Sequence, residues 1–358
     1  MIRRILALRP RALGDVVLTT PALRALARGH RGATLDVVTE RPYAPLVAGL
    51  PEVGRVWTLD RTTRGTLTLG SDLRRQRYDL VVDFFGNPRT AQLVRLSGAP
   101  NRAGYDLRGR GGSYTLKVAR SVVPEHGERE YAAAVHVRLA VAAGGIADGL
   151  ETRIALVDSA RVESTRVLSG AGVRDPSRTI GLIAAGTWAT KTWPWSHAAA
   201  LARGLMSAGW EVLALVGPGE TAVAASLERL APGVCVLPPC GVAVLAAVIG
   251  RLAAVIGTDS GPRHLAVALG VPSFAWFGPT HPDTWSPRDP RHGFWWTSLP
   301  CRGCDRTACP HWNCMPSLAP ARAVELVLDH LDRTRARAGT GHTDDARPTA
   351  DLRTPAGA

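Results

Sequence analysis

Residues 252–270 read Leu-Ala-Ala-Val-Ile-Gly-Thr-Asp-Ser-Gly-Pro-Arg-His-Leu-Ala-Val-Ala-Leu-Gly. The five apolar residues 252–256 have the length and character of a buried strand. Asp259-Ser260-Gly261-Pro262 then suits a tight turn that ends in a helix start, with a proline in the first helical turn. A strand that runs straight into a helix is the repeating unit of an α/β fold. Helix starts present unpaired N–H groups and the positive end of the helix dipole, so such a turn is preorganised for phosphate, with His264 and the Ser260 hydroxyl as further donors. The same turn serves equally well as a plain capped helix start, and taken alone it leaves both readings open.

Working outward, the pattern repeats on both sides. Strands are expected at 180–184, 212–216, 234–237, 253–256 and 273–277. Helices are expected at 196–208, 221–230, 242–251 and 262–269. The first half carries strand patterns at 5–8, 35–39, 56–59 and 80–84, with helices at 16–28, 71–77 and 90–96 and a longer one at 128–143. Residues 98–124 are rich in glycine and arginine and read as loops with one or two short strands. A polar stretch around Asp175-Pro176-Ser177 marks the neighbourhood of a linker. The expected organisation is an N-terminal Rossmann-like domain at 1–170 and a second at 171–333, facing each other across a cleft. A last helix is expected at 321–333, followed by a disordered polar tail at 334–358. At 358 residues the chain exceeds the size at which one core stops growing.

Composition narrows the function classes. Formal net charge is +13, and lysine occurs only at Lys117 and Lys191, so arginine supplies the other 41 cations. The basic residues are scattered and no aromatic-basic recognition motif accompanies them, which argues against a nucleic-acid partner and leaves anionic small molecules or an acidic membrane face. The longest apolar stretch, 241–257, is interrupted by Arg251 and is too short to span a bilayer. Arg9, Pro10, Arg11 and Asp15 break any apolar run near the start, so a cytoplasmic protein is expected.

Three further loops follow strand ends, the edge at which open α/β sheets bind ligands. After the first strand come Arg9-Pro-Arg-Ala-Leu-Gly14-Asp15, where Asp15 is either a helix cap or a general base. The second half opens on Gly186-Thr187-Trp188-Ala189-Thr190-Lys191-Thr192-Trp193-Pro194. There, small and hydroxylated residues let the backbone approach a diphosphate and Lys191 places a compact charge on it. Gly217-Pro218-Gly219-Glu220 ends another strand, and Glu220 is either a first-turn acid or an acceptor for ribose hydroxyls. No Gly-x-Gly-x-x-Gly fingerprint follows the first strand, which argues against a nicotinamide or flavin enzyme. Cys301, Cys304, Cys309 and Cys314 have the spacing to wrap one structural zinc or iron ion, with reduced thiols or a redox disulfide as the other readings. Cys235 and Cys240 read as packing residues.

Taken in order, Leu13-Gly14-Asp15, Lys191-Thr-Trp193-Pro194, Gly217 to Glu220 and Thr258-Asp-Ser-Gly-Pro-Arg-His264 resemble glycosyltransferase family 9, the ADP-heptose:lipopolysaccharide heptosyltransferases. Phe277-Gly-Pro-Thr280, Trp285-Ser-Pro287 and the cysteine cluster fit the same pattern, and the resemblance spans residues 2–333. It implies a GT-B fold and inverting transfer of a sugar, heptose from ADP-heptose, to a hydroxyl of a glycan or glycolipid acceptor, with no metal or cofactor needed for catalysis. It further implies Asp15 as catalytic base and Lys191 as the lysine that contacts phosphate. Thr187, Glu220, Asp259, Ser260, Gly261 and His264 then serve as donor contacts, and a glycolipid acceptor brings with it peripheral contact with the inner membrane face. Nothing in 98–124 identifies the acceptor. The rival readings are a nucleotide-sugar epimerase of the same architecture, and a non-catalytic protein that binds nucleotide-sugar or nucleic acid.

Overall fold

The computed structural model describes residues 2–121 and 129–340. Backbone contacts separate residues 1–157 from those at 158 and beyond, and each unit is built on its own six-stranded parallel sheet. The first contains β1 (Arg4–Leu8), β2 (Thr34–Thr39), β3 (Val56–Thr58), β4 (Leu80–Asp83), β5 (Asn101–Tyr105) and β6 (Leu116–Val118) in the order β3-β2-β1-β4-β5-β6. Its helices are α1 (Leu13–Gly29), α2 (Ala44–Val47), α3 (Thr63–Gln76), α4 (Pro88–Leu96) and α5 (Ala132–Ala142). The second unit opens with α6 (Asp158–Gly170). Its strands are β7 (Thr179–Ile183), β8 (Glu211–Ala214), β9 (Cys235–Val236), β10 (Ala254–Thr258), β11 (Ser273–Phe277) and β12 (His292–Trp296), in the order β12-β11-β10-β7-β8-β9. Around them lie α7 (Trp195–Ser207), α8 (Thr221–Leu230), α9 (Val242–Ile249), α10 (Gly261–Ala268), α11 (Pro282–Trp285) and α12 (Pro320–Thr340).

Both sheets follow the doubly wound order, in which the first and fourth strands lie side by side and the chain departs in opposite directions from them. Strands covered by helices on both faces must be apolar throughout, and β7, β10 and β11 are buried along their whole length. The second core is anchored by Trp193 and Trp276, whose ring centroids lie 4.5 Å apart. Trp193 also donates Nε1–H to the Leu318 carbonyl at 3.0 Å, which ties the end of the 186–193 loop into the core. Close contact between β10 and β7 depends on Gly257. Its φ is +136°, and a Cβ there would meet the Ile183 carbonyl oxygen at 2.2 Å.

The expected strands and helices are present with shifted ends, and several elements lie outside that reading. The loop region 98–124 contributes β5 and β6, with 122–124 outside the described residues. The edge strand β12 and helix α6 had no counterpart among the expected elements. Helix α6 buries Ala160, Ser164, Val167 and Leu168, a stripe half made of small residues, which hides its helical period. The expected boundary at 170 falls at the end of α6. The helix expected from 128 begins at Ala132, residue 128 itself lying outside the described residues. The final helix continues to Thr340, so the tail expected from 334 starts inside it; 341–358 lie outside the described residues.

Candidate active site

The doubly wound order has a physical consequence for ligands. Where the chain reverses direction between the first and fourth strands, the loops leaving their carboxyl ends diverge and open a crevice. In the second unit these strands are β7 and β10, paired in register with Ile183 beside Gly257. The loop with Lys191 leaves β7, and Asp259 to His264 leave β10. The topology therefore brings Lys191, Asp259, Ser260, Gly261 and His264 to one place.

Asp259 is the centre of the group. It is 2% exposed, and its Oδ2 accepts from Lys191 Nζ at 3.0 Å and from Thr280 Oγ1 at 3.1 Å. His264, itself buried, places Nε2 3.9 Å from the other oxygen, Oδ1. Burial pushes the Asp259 carboxyl up, but the Lys191, His264 and Arg263 charges and the lysine hydrogen bond outweigh it and hold the group below the usual carboxylate range. Lys191 is thus not a solvated loop lysine. Its ammonium lies 4.6 Å from the Trp188 ring centre and 5.6 Å from that of Trp285, within cation–π range of both. Its backbone carbonyl accepts from the Thr258 hydroxyl, which fixes the loop against β10.

Helix α10 begins beside this pair. Ser260 occupies the N-cap position in an extended conformation, yet its hydroxyl makes no capping bond, contrary to the simple cap the sequence allowed. Arg263, 1% exposed, donates to the Trp285 carbonyl at 3.1 Å and to Ser286 Oγ at 2.7 Å. That links the helix start to the Trp285-Ser-Pro turn. Glu220 folds back on its own loop, with Oε2 accepting from the Gly217 N–H at 2.7 Å. Thr187 is exposed at the opening of the 186–193 loop.

In the first unit the corresponding strands are β1 and β4, with Leu8 beside Asp83. Asp15 is the third residue of α1, where its Oδ2 accepts from the Ala12 N–H at 3.3 Å. Its carboxylate also pairs with the Arg9 guanidinium; the arginine side chain is 4% exposed and that of Asp15 is 28% exposed. Asp15 is therefore a helix cap, one partner of an ion pair with a buried cation, and still open to solvent on one side. Arg9 also bonds the Phe84 carbonyl and stacks on Phe85. Behind it, the fully buried Asp83 accepts from the Phe85 and Gly86 N–H groups, each at 3.0 Å, and from the Tyr114 hydroxyl at 2.8 Å. These bonds shape the loop after β4.

The structural-ion reading of the cysteine cluster is unsupported. Among the described residues, no three His, Cys, Asp or Glu side chains gather where an ion could be held. Cys301 and Cys304 are exposed thiols, Cys309 Sγ accepts from the Trp312 N–H at 3.5 Å, and Cys314 packs beside Gly278. The structural-ion reading of the four thiols therefore has no gathered ligand set behind it among the described residues.

Sequence reasoning gave Arg9 and Trp188 no role, and placed Thr280 and Trp285 in segments that fit the family pattern without assigning them a contact. Each becomes visible only when two loops distant in sequence meet; in a chain with so many arginines, Arg9 carried no signal of its own.

Comparison with known proteins follows the same lines. Residues 66–314 match the model of glycosyltransferase family 9 (heptosyltransferase). That span includes Lys191, Glu220 and Asp259 to His264, and begins after Asp15. Lipopolysaccharide heptosyltransferase 1 of Pseudomonas aeruginosa is 30% identical, over 86% of this chain and 88% of its own length. Lipopolysaccharide heptosyltransferase 3 of Escherichia coli K12 is 26% identical over 76% and 82%. Among solved structures, the E. coli ADP-heptose lps heptosyltransferase II superposes with a TM-score of 0.76 at 20% identity, covering 93% of this chain and 99% of that one. The E. coli heptosyltransferase WaaC with ADP gives 0.70 at 21%, over 91% and 99%. These likenesses identify the two sheets as the Rossmann-like pair of a GT-B fold.

Proposed function

This chain belongs to glycosyltransferase family 9, the heptosyltransferases, and is a glycosyltransferase; from that premise we propose that it moves heptose from ADP-heptose to a hydroxyl of a lipopolysaccharide-type glycolipid, with inversion at the anomeric carbon. The observation that carries this reading is the Lys191–Asp259 pair at the start of α10, a cation held at 3.0 Å from a buried carboxylate beside the positive end of a helix.

The proposed chemistry divides between the two units. The acceptor oxygen attacks the anomeric carbon, the bond from that carbon to the diphosphate oxygen breaks, and Asp15 takes the acceptor's proton. Negative charge grows on the leaving ADP. Lys191, the N–H of Gly261, the Ser260 hydroxyl and His264 meet that charge. Asp259 holds the ammonium in place. Thr187 and Glu220 take the sugar-nucleotide's neighbouring groups, Glu220 by trading its bond to Gly217 for one to a ribose hydroxyl. Asp15 supplies the carboxylate for the acceptor's proton, and Arg9 holds that carboxylate in place.

A glycolipid acceptor places the protein at the cytoplasmic face of the inner membrane as a peripheral enzyme. The relatives named for lipopolysaccharide support such an acceptor. No helix among the described residues is long and apolar enough to cross a membrane. Calorimetric titration with ADP, UDP and ADP-heptose tests the donor assignment. ADP and ADP-heptose are expected to compete for one site while UDP does not bind; preference for UDP would overturn it.

A further inference from the structure

Residues 297–319, between β12 and α12, carry the four cysteines and no group assigned to the chemistry, yet they reach the supports of both members of the Lys191–Asp259 pair. On one side stands Thr190, buried and directly before Lys191. Its hydroxyl donates to the Arg306 carbonyl at 2.8 Å, and its own carbonyl accepts from Trp312 Nε1–H at 3.3 Å. On the other side, the Gly303 N–H donates to the Gly278 carbonyl at 3.0 Å and the Asp305 N–H to that of Pro279 at 2.7 Å. Those bonds fix the residues just before Thr280, whose hydroxyl holds Asp259 at 3.1 Å. Trp312 packs its ring against the second core, and its turn, with φ +36°, is closed by the bond from its N–H to Cys309 Sγ at 3.5 Å.

A lysine side chain has four rotatable bonds, and keeping its ammonium against one carboxylate oxygen costs side-chain entropy unless the backbone below it is fixed. Two hydrogen bonds on the single residue Thr190 supply that fixation. We propose that segment 297–319 is a positioning strap for the donor site, in which Trp312 and the Arg306 carbonyl hold Thr190 and thereby set the place of the Lys191 ammonium. The proposal rests on the reading of Lys191 as the group that binds the donor diphosphate. Trp312 and Thr190 act through Lys191 and touch no substrate themselves.

The test uses the full chain with Thr190→Val, which replaces one hydroxyl by a methyl of similar shape, and Trp312→Phe, which removes the indole donor and keeps an aromatic ring. Each is made alone and combined with Lys191→Ala, and ADP affinity is measured by calorimetry beside a thermal melt. Loss of one such hydrogen bond is expected to weaken ADP binding by about two- to tenfold in the parent background. With Lys191 already removed, neither substitution is expected to cost anything further. Equal losses in both backgrounds, or unchanged affinity in Thr190→Val, would overturn the strap. An early melt of Trp312→Phe leaves Thr190→Val to decide. Failure of the donor reading is separately visible: Lys191→Ala alone would then bind ADP as the parent does, and both ideas fall.

Discussion

Replacing Asp15 by asparagine separates the three things this residue does. The amide keeps an oxygen for the Ala12 N–H, so the cap survives in part, but the charge opposite Arg9 is gone. Arg9 is 4% exposed and, among the described residues, keeps the Phe84 carbonyl and the Phe85 ring as partners. Removing one partner of a fully buried pair costs about 3–5 kcal/mol. Because the Asp15 side chain is 28% exposed, water can screen part of that, and about 1–3 kcal/mol is expected. A domain with roughly 5–15 kcal/mol of stability stays folded after such a loss. Turnover should nevertheless fall on the order of 10²-fold or more, the usual effect of removing a general base. Urea unfolding, single-turnover transfer and ADP calorimetry on one preparation give the three numbers, with ADP affinity nearly unchanged because the proposed donor contacts all belong to the second unit. The double variant Arg9→Met/Asp15→Asn removes the stranded cation as well, and should regain stability without regaining turnover. Near-parental turnover of Asp15→Asn at neutral pH would refute the base assignment and leave Asp15 a cap and ion-pair partner.

Three other outcomes are expected. Asp259→Asn should weaken ADP binding on the order of tenfold while leaving a folded protein, since it frees Lys191 and exchanges a charged hydrogen bond for a neutral one, and calorimetry with a melt checks both. Gly257→Ala should destabilise the second unit by more than about 3 kcal/mol in urea unfolding, because its Cβ would overlap the Ile183 carbonyl at a positive φ. Acid should weaken the second unit early. Burial lowers His292 to about 3 and His330 to about 4, so the unfolded chain, titrating near 6.5, takes up protons first as pH falls. Stability is then complete above about pH 6.5 and declines below it, by up to about 2 kcal/mol for each histidine at pH 5. Equal urea midpoints at pH 7.5 and 5 would contradict this.

Much of this architecture is legible in the chain because a parallel sheet buried on both faces needs unbroken apolar runs, and 253–256 and 273–277 show them plainly. Helix α6 escaped because Ala160 and Ser164 pack inward without looking apolar. Strand β12, His-Gly-Phe-Trp-Trp, lies at a sheet edge, where the pattern is weakest. The site followed the same rule. Lys191, Asp259 and His264 sit beside strand ends and could be singled out from that position. Thr280 is 21 residues from Asp259 in sequence, and only the pairing of β10 with β11 brings them together. The cysteine cluster marks the limit of spacing taken alone. Spacing limits which ions a segment could wrap, but the 301–314 turns are set by bonds to Gly278, Pro279 and Thr190.

The most direct test of the account is transfer itself. Purified protein is incubated with ADP-heptose and a lipopolysaccharide-core glycolipid that lacks heptose, while ADP release is measured by coupled assay and the acceptor by mass spectrometry. One ADP released for each heptose unit gained by the acceptor, at a rate that collapses in Asp15→Asn and Lys191→Ala, is the predicted result. ADP released with no gain in acceptor mass, or transfer that both variants sustain, would contradict it.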